Sequence, residues 1–195
     1  MMGPRFIVAR PLVASVPLST ARLKFRWWTN DARDVQLAHS VWGDPEVNQT
    51  LGLSLRGAGP EQTAERLELE IRHAAEFGLQ YWPVFKRGHT DESQRFIGVV
   101  GFRRHEETQI ELGFHLRPEC WRRGYAVEAA TAALDHAFGA LGLDAVLAGH
   151  GPGNTASRRT IERLGFSYTH VGTFEGEPDM TYELSAAAWL RSRRA

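Results

Sequence analysis

Residues 111–166 read ELGFHLRPECWRRGYAVEAATAALDHAFGALGLDAVLAGHGPGNTASRRTIERLGF, and the order of elements in this stretch decides the fold. Its first letters belong to a strand over Gln109 to Leu116. Val127, Ala130, Leu134, Ala137, Phe138 and Leu141 then recur at helical spacing and form the apolar stripe of a helix. Leu143 to His150 is apolar and compact, as a buried strand is. Asn154 to Leu164 reads as a helix with an asparagine cap, stopped at Gly165.

The connection between the first strand and its helix is unusual in composition. Arg117 to Ala126 reads RPECWRRGYA, with Arg117, Arg122 and Arg123 crowded at one corner. Gly124 and Ala126 are small, so backbone there can approach a bulky anion closely. The helix that follows offers unpaired N–H groups and the positive end of its dipole. Arg158, Arg159 and Arg163 place a second basic cluster on the later helix. These features suit a cradle for a diphosphate, and a solvated basic loop before an ordinary helix remains the alternative. Neither the nucleoside-triphosphate pattern G-x-x-x-x-G-K-[ST] nor the dinucleotide pattern G-x-G-x-x-G is present, which disfavours those two guests.

Working outward, Leu23 to Trp28 reads as a first strand and Asp31 to Ser40 as a helix capped by Asn30 or Asp31. Val41 to Gly59 holds four glycines and a proline and reads mostly as loop, with one helical turn after Pro45. Pro60 to Phe77 is a helix opened by proline and stopped by Gly78. Gln80 to Phe85 and Phe96 to Phe102 are strands around a polar turn at Lys86 to Ser93. Phe166 to Val171 and Met180 to Leu184 supply the closing strands. A mixed sheet with helices on its faces follows, of α/β or α+β class.

At 195 residues, one domain spanning 1–195 is expected. A formal net charge of zero gives no global pull toward nucleic acid or an anionic membrane, and neither is expected as a partner. No apolar run reaches the ~18 residues of a membrane-spanning helix. Phe6 to Leu18 is apolar but broken by Arg10, Pro11 and Pro17, so residues 1–17 read as an irregular extension rather than a cleaved signal. Cys120 is the single cysteine, which fits a reducing compartment and a cytoplasmic location. No cluster has metal-ligand spacing.

Three pieces in this order resemble the GNAT acetyltransferase superfamily, and within it the branch of Rim-type ribosomal-protein N-terminal acetyltransferases. They are ELGF at Glu111 to Phe114, PECWRRGYAVEA at Pro118 to Ala129, and NTASRRTIERLGF at Asn154 to Phe166. LSTARLKFR at Leu18 to Arg26, IGVVGF at Ile97 to Phe102, and Pro178-Asp179-Met180 with Tyr182 and Trp189 are similar to further strands and the tail of that branch. The resemblance implies a mostly antiparallel sheet of about seven strands, splayed between the fourth and fifth, with acetyl-CoA in the opening. On this basis the backbone of Phe114 and Leu116 would pair with the pantetheine arm. Arg122, Arg123, Gly124, Tyr125 and Ala126 would hold the diphosphate, and Asn154 would contact the arm. Trp121 stands where many members have Gln or Arg. Ile161 stands where many have a tyrosine that protonates the leaving thiolate.

The implied reaction is direct attack of a neutral amine on the thioester. Glu111 is the candidate base, or alternatively a strand-edge carboxylate in an ion pair. Ser157 is the candidate acid or sulfur contact, or alternatively a first-turn capping serine. Neutralising an α-amine of pKa near 7.7–8.0 at neutral pH costs about 1 kcal/mol, against about 4.6 for a lysine, so a modest base suits a low-pKa amine. His115 and His150 could assist proton transfer or simply pack. Cys120 reads as a partly buried thiol, and Trp42 as the tryptophan most exposed to substrate. The acceptor is a protein N-terminus or a small amine. An antibiotic or polyamine acetyltransferase and a catalytically silent CoA-binding module are the alternatives, and a homodimer is left open.

Overall fold

The computed structural model describes residues 15–17, 19–50, 58–88, 91–105 and 109–194. Residues 1–14 of the expected extension and residues 51–57 of the expected loop lie outside the described residues. The elements run β1 (Leu23–Phe25), α1 (Ala32–Trp42), α2 (Pro45–Asn48), α3 (Pro60–Phe77), β2 (Tyr81–Lys86), α4 (Glu92–Arg95), β3 (Phe96–His105) and β4 (Gln109–Leu116). They continue with α5 (Tyr125–Gly139), β5 (Ala145–His150), α6 (Thr155–Arg163), β6 (Ser167–Phe174), β7 (Glu177–Ser185) and α7 (Ala186–Ser192).

The strands form one seven-stranded sheet in the order β1-β2-β3-β4-β5-β7-β6. Every neighbouring pair is antiparallel except β4 and β5, which are parallel. This is the mixed, mostly antiparallel sheet expected. Strand alternation sorts side chains onto two faces, each with its own core. On one face Trp82, Val84, Val100, Phe102, Ile110 and Leu112 pack with the small residues of α5, Ala129, Ala130, Ala133 and Ala137. On the other, Tyr81, Phe85, Phe96 and Val99 pack with Leu37, Val41 and Trp42 of α1 and Leu67 of α3.

The helix boundaries follow local chemistry. Asp31 caps α1 by accepting from the Asp34 N–H, and Gly78 ends α3 at φ 67°, a left-handed conformation that costs glycine little. Two expectations are corrected. The first strand ends at Phe25 rather than Trp28, because Trp28 turns inward and donates its indole N–H to the Tyr81 carbonyl at 2.7 Å. The polar turn after β2 runs into the one-turn helix α4. The tail after β7 is a helix, capped by the Ser185 hydroxyl and anchored by Trp189, which is buried and donates to Asp135 at 2.9 Å.

Candidate active site

β4 and β5 share a single register pair, Glu111 with Leu147. No further register pair joins the two strands to either side of that rung. The Arg117 N–H donates to the Ile97 carbonyl at 2.9 Å. Backbone groups alternate sides along a strand, so Glu111, Gly113 and His115 address β3 while Leu112, Phe114 and Leu116 address β5. With no register pair to β5 beyond Leu147, the backbone of Phe114 and Leu116 points to the β5 side without a ladder partner there. The two are not equivalent, since the Leu116 carbonyl accepts the Trp121 indole N–H at 2.6 Å. Trp121 is 39% exposed and braces the end of β4.

Just past that edge the chain turns through two left-handed residues, Arg122 at φ 57° and Gly124 at φ 76°. A left-handed arginine stores ~1–3 kcal/mol of strain and marks a backbone shaped for something other than stability. Gly124 is the N-cap of α5 and supplies no side-chain cap, so the N–H groups of the first turn have no helical partner. Successive N–H groups in such a turn make an anion concavity. A Cβ on Gly124 would point toward Arg22, 3.6 Å from its Nη2, so within the protein it is the positive φ that calls for glycine.

Arg22, which precedes β1, is the residue of this region that sequence reasoning missed. Its guanidinium pairs with Glu128 in the first turn of α5 at 2.5 Å, and its own backbone N–H donates to the same carboxylate at 3.1 Å. Nη1 donates to the Arg123 carbonyl at 3.2 Å, and the guanidinium lies 4.6 Å over the Tyr125 ring. The Thr20 hydroxyl completes the carboxylate's set of donors. Burial opposes ionisation of Glu128, but the hydrogen bonds from Thr20 and Arg22 prevail and hold its pKa below the ordinary value. A carboxylate beside an anion loop is thereby neutralised, and the loop is tied to β1.

The face of β4 carrying Glu111 and His115 is backed by a polar lattice. The His115 Nδ1 accepts the Trp42 indole N–H at 3.2 Å, which leaves the ring's proton on Nε2. Burial, with the charges of Arg66 and Arg103, pushes the His115 pKa down to about 3. This histidine is therefore a neutral Nε2–H donor rather than a base near neutrality. Trp42 is fully buried, contrary to the expectation that it meets substrate. Behind it Arg66 and Glu70 form a buried pair at 2.6 Å, and Glu70 accepts the Tyr81 backbone N–H at 2.8 Å. Arg103 is the register partner of Glu111 on the same face.

His150 is placed differently. Alternation from the Glu111–Leu147 rung puts it on the α5 side of the sheet, where it bonds the Gly151 carbonyl at 2.8 Å through Nδ1. The two histidines are not brought together. At the start of α6, the Asn154 side-chain oxygen accepts from the Ser157 N–H at 3.0 Å, the helix cap read from sequence. Ile161 is fully buried in the core, so the position that carries a tyrosine in many relatives of the motif offers no proton donor here. Cys120 is buried and its thiol pKa is raised by desolvation, as a structural cysteine's is. Among the described residues no group of His, Cys, Asp and Glu could hold a metal, and no helix is long and apolar enough to cross a membrane.

This arrangement has counterparts. The model of the acetyltransferase (GNAT) domain family matches residues 22–167, and the chain belongs to that family. YoaA of Bacillus subtilis, described as an N-acetyltransferase, is 27% identical over 158 residues, covering 76% of this chain and 81% of its own. An acetyltransferase structure from Agrobacterium tumefaciens superposes with a TM-score of 0.73 at 25% identity, covering 90% of this chain and 98% of that one. RimL, a ribosomal L7/L12 α-N-protein acetyltransferase solved with coenzyme A, superposes with a TM-score of 0.72 at 14% identity, covering 88% and 98%. The fold is thus shared with the Rim-type branch whose motifs the sequence resembles.

Proposed function

We propose that this protein transfers the acetyl group of acetyl-CoA to a primary amine in a ternary complex, on a peptide N-terminus or a small molecule. The observation that carries the reading is the pairing of an outward-facing strand edge with an uncapped helix start. Phe114 and Leu116 lie past the single pair that joins β4 to β5, and α5 starts at Gly124 without a side-chain cap, eight residues after Leu116. The fit to CoA rests on these residues: the N–H groups of Gly124, Tyr125 and Ala126 for the diphosphate, with the Arg122 and Arg123 side chains adding charge. The Phe114 and Leu116 backbone would pair with the arm. Asn154, whose oxygen is committed to the helix cap, would donate its NH2 group to an arm carbonyl.

Bound there, acetyl-CoA supplies an activated acyl group to a nucleophile. The chain's part is to hold the amine, remove its proton and polarise the carbonyl. Backbone N–H near Phe114 suits the last task. Glu111, on the single rung that joins β4 to β5, takes the proton directly or through a water. Ser157, in the first turn of α6, is the group offered to the sulfur. We place this activity in the cytoplasm.

Thiol release from acetyl-CoA across a panel of amines and N-terminal peptides tests the reading. Turnover with at least one primary amine is expected, and Glu111→Gln is expected to reduce it at unchanged CoA affinity. Tight CoA binding without turnover on any acceptor would favour the silent module instead.

A further inference from the structure

Three donor-bearing side chains surround the ring of Tyr81. The His115 ring packs edge-on at 5.3 Å, and the Arg103 and Arg66 guanidiniums stand 5.5 and 5.8 Å from its centroid. Register brings them together. Tyr81 of β2 is opposite Gly101 of β3, Gly101 is opposite Gly113 of β4, and Arg103 is opposite Glu111. Glycine at 113 leaves room for the phenol, because a Cβ there would collide with the Tyr81 hydroxyl. Arg103, Glu111 and His115 thus share one face of β3 and β4, with the Tyr81 ring against it.

The donors differ in what already occupies them. Arg66 is paired with Glu70 at 2.6 Å, and its Nε is buried without a hydrogen-bond partner. Arg103 is half-buried, and among the described residues its guanidinium makes no hydrogen bond and no ion pair. Burial disfavours its charge, but Tyr81, Glu70, Glu111 and Glu175 around it favour it, and its pKa is raised. The His115 Nδ1 is taken by the Trp42 indole. Its Nε2–H has no partner among the described residues, and the ring is likewise half-buried. A fork of guanidinium N–H groups and a neutral imidazole N–H are therefore left unoccupied on the face that carries Glu111.

We propose that Arg103 and the His115 imidazole bind the carboxylate of an α-amino acid whose amine is the acetyl acceptor. The inference rests on the transferase reading and deepens it by naming the substrate class. A guanidinium presents paired donors that match a carboxylate, and a neutral N–H adds a further bond. An amino acid is ionised at both ends near neutral pH, so it carries a carboxylate for Arg103 and an ammonium for Glu111. Side chains directly opposite on two strands start about 4.5–5.5 Å apart, close enough for Arg103 and Glu111 to engage the two ends of one small molecule. A polyamine leaves these donors unpaired and brings like charge to them. A peptide N-terminus offers them only a neutral carbonyl oxygen, a weaker acceptor than a carboxylate.

The test uses the full chain and reads thiol release from acetyl-CoA with a panel of α-amino acids, the matching carboxamides and spermidine. At least one amino acid is expected to show a kcat/KM roughly tenfold or more above that of its carboxamide. Arg103→Gln is expected to raise the KM of that amino acid roughly tenfold, with kcat within about threefold and the carboxamide KM within about twofold. Arg103→Lys keeps the charge but not the fork and is expected to raise the same KM about threefold, an independent reading should the glutamine variant fail to fold. Calorimetric titration of CoA into each variant is expected to give the parent's affinity. Equal use of acid and carboxamide by the parent, or equal KM shifts for the two in Arg103→Gln, overturns the proposal and leaves the transferase reading intact. So does a parent that acetylates carboxamides or spermidine but no amino acid. A parent that binds CoA and acetylates nothing in the panel overturns the proposal too. A parent that does not bind CoA overturns the transferase reading, and the inference with it.

Discussion

Arg22→Ala is predicted to damage the proposed CoA site from outside it. The substitution removes an ion pair to Glu128, a hydrogen bond to the Arg123 carbonyl and a cation–π contact with Tyr125. The Arg22 side chain is 49% exposed, so the ion pair is discounted for solvent to about 0.5 kcal/mol. The carbonyl bond adds about 1 kcal/mol and the ring contact about 0.5. A loss near 2 kcal/mol lowers the melting temperature of a chain this size by roughly 4–8 °C. The effect on CoA has a separate origin. Glu128, no longer neutralised, would sit in the first turn of the helix whose N–H groups we propose hold the diphosphate, while Arg122 and Gly124 lose the tether on Arg123. A loss on the order of tenfold in CoA affinity is expected, equivalent to about 1.4 kcal/mol. Calorimetric titration of CoA into the parent, Arg22→Ala, Glu128→Gln and the double variant separates the two effects. The double variant should recover CoA affinity relative to Arg22→Ala without recovering stability. CoA affinity within twofold of the parent in Arg22→Ala would refute the clasp.

Two further outcomes depend on protonation. Because Glu128 is held below the ordinary carboxylate pKa, its stabilising contribution is complete above the unfolded value of about 4.5 and is lost as pH falls through the lower folded value. Chemical unfolding of the parent and Glu128→Gln should therefore converge in stability as acid is added, and parallel curves down to about pH 3 would contradict this. His115, depressed to about 3, should show imidazole NMR shifts that are flat between about pH 5 and pH 8. A midpoint near 6.5 would mean the ring is solvated rather than locked against Trp42 and Tyr81.

Elements set by local pattern were legible in the sequence. Pro60, Gly78, Asn154 and Gly165 bounded their helices from single-residue chemistry, and Gln109–Leu116 is the strand expected. The splay between β4 and β5 came from motif resemblance, because nothing in the letters of either strand says that pairing stops after Leu147. What escaped were contacts between residues distant in sequence. Arg22 and Glu128 are 106 residues apart, and each alone looks like an ordinary surface charge. Trp42 sat among loop glycines and looked exposed, yet it ends α1 and donates to His115. The short helices α4 and α7 escaped for a simpler reason: one or two turns carry too few residues for a periodic stripe to show.

The most direct test of the account is calorimetric titration of acetyl-CoA into the protein and its Gly124→Ala variant. Gly124 holds φ 76°, and its Cβ would meet nothing closer than Arg22 at 3.6 Å. Alanine therefore disturbs the backbone turn, at about 1–2 kcal/mol, without a clash against the protein itself. The account predicts saturable binding by the parent and an affinity at least tenfold weaker in the variant. No binding by the parent, or equal affinity in the two, would contradict it.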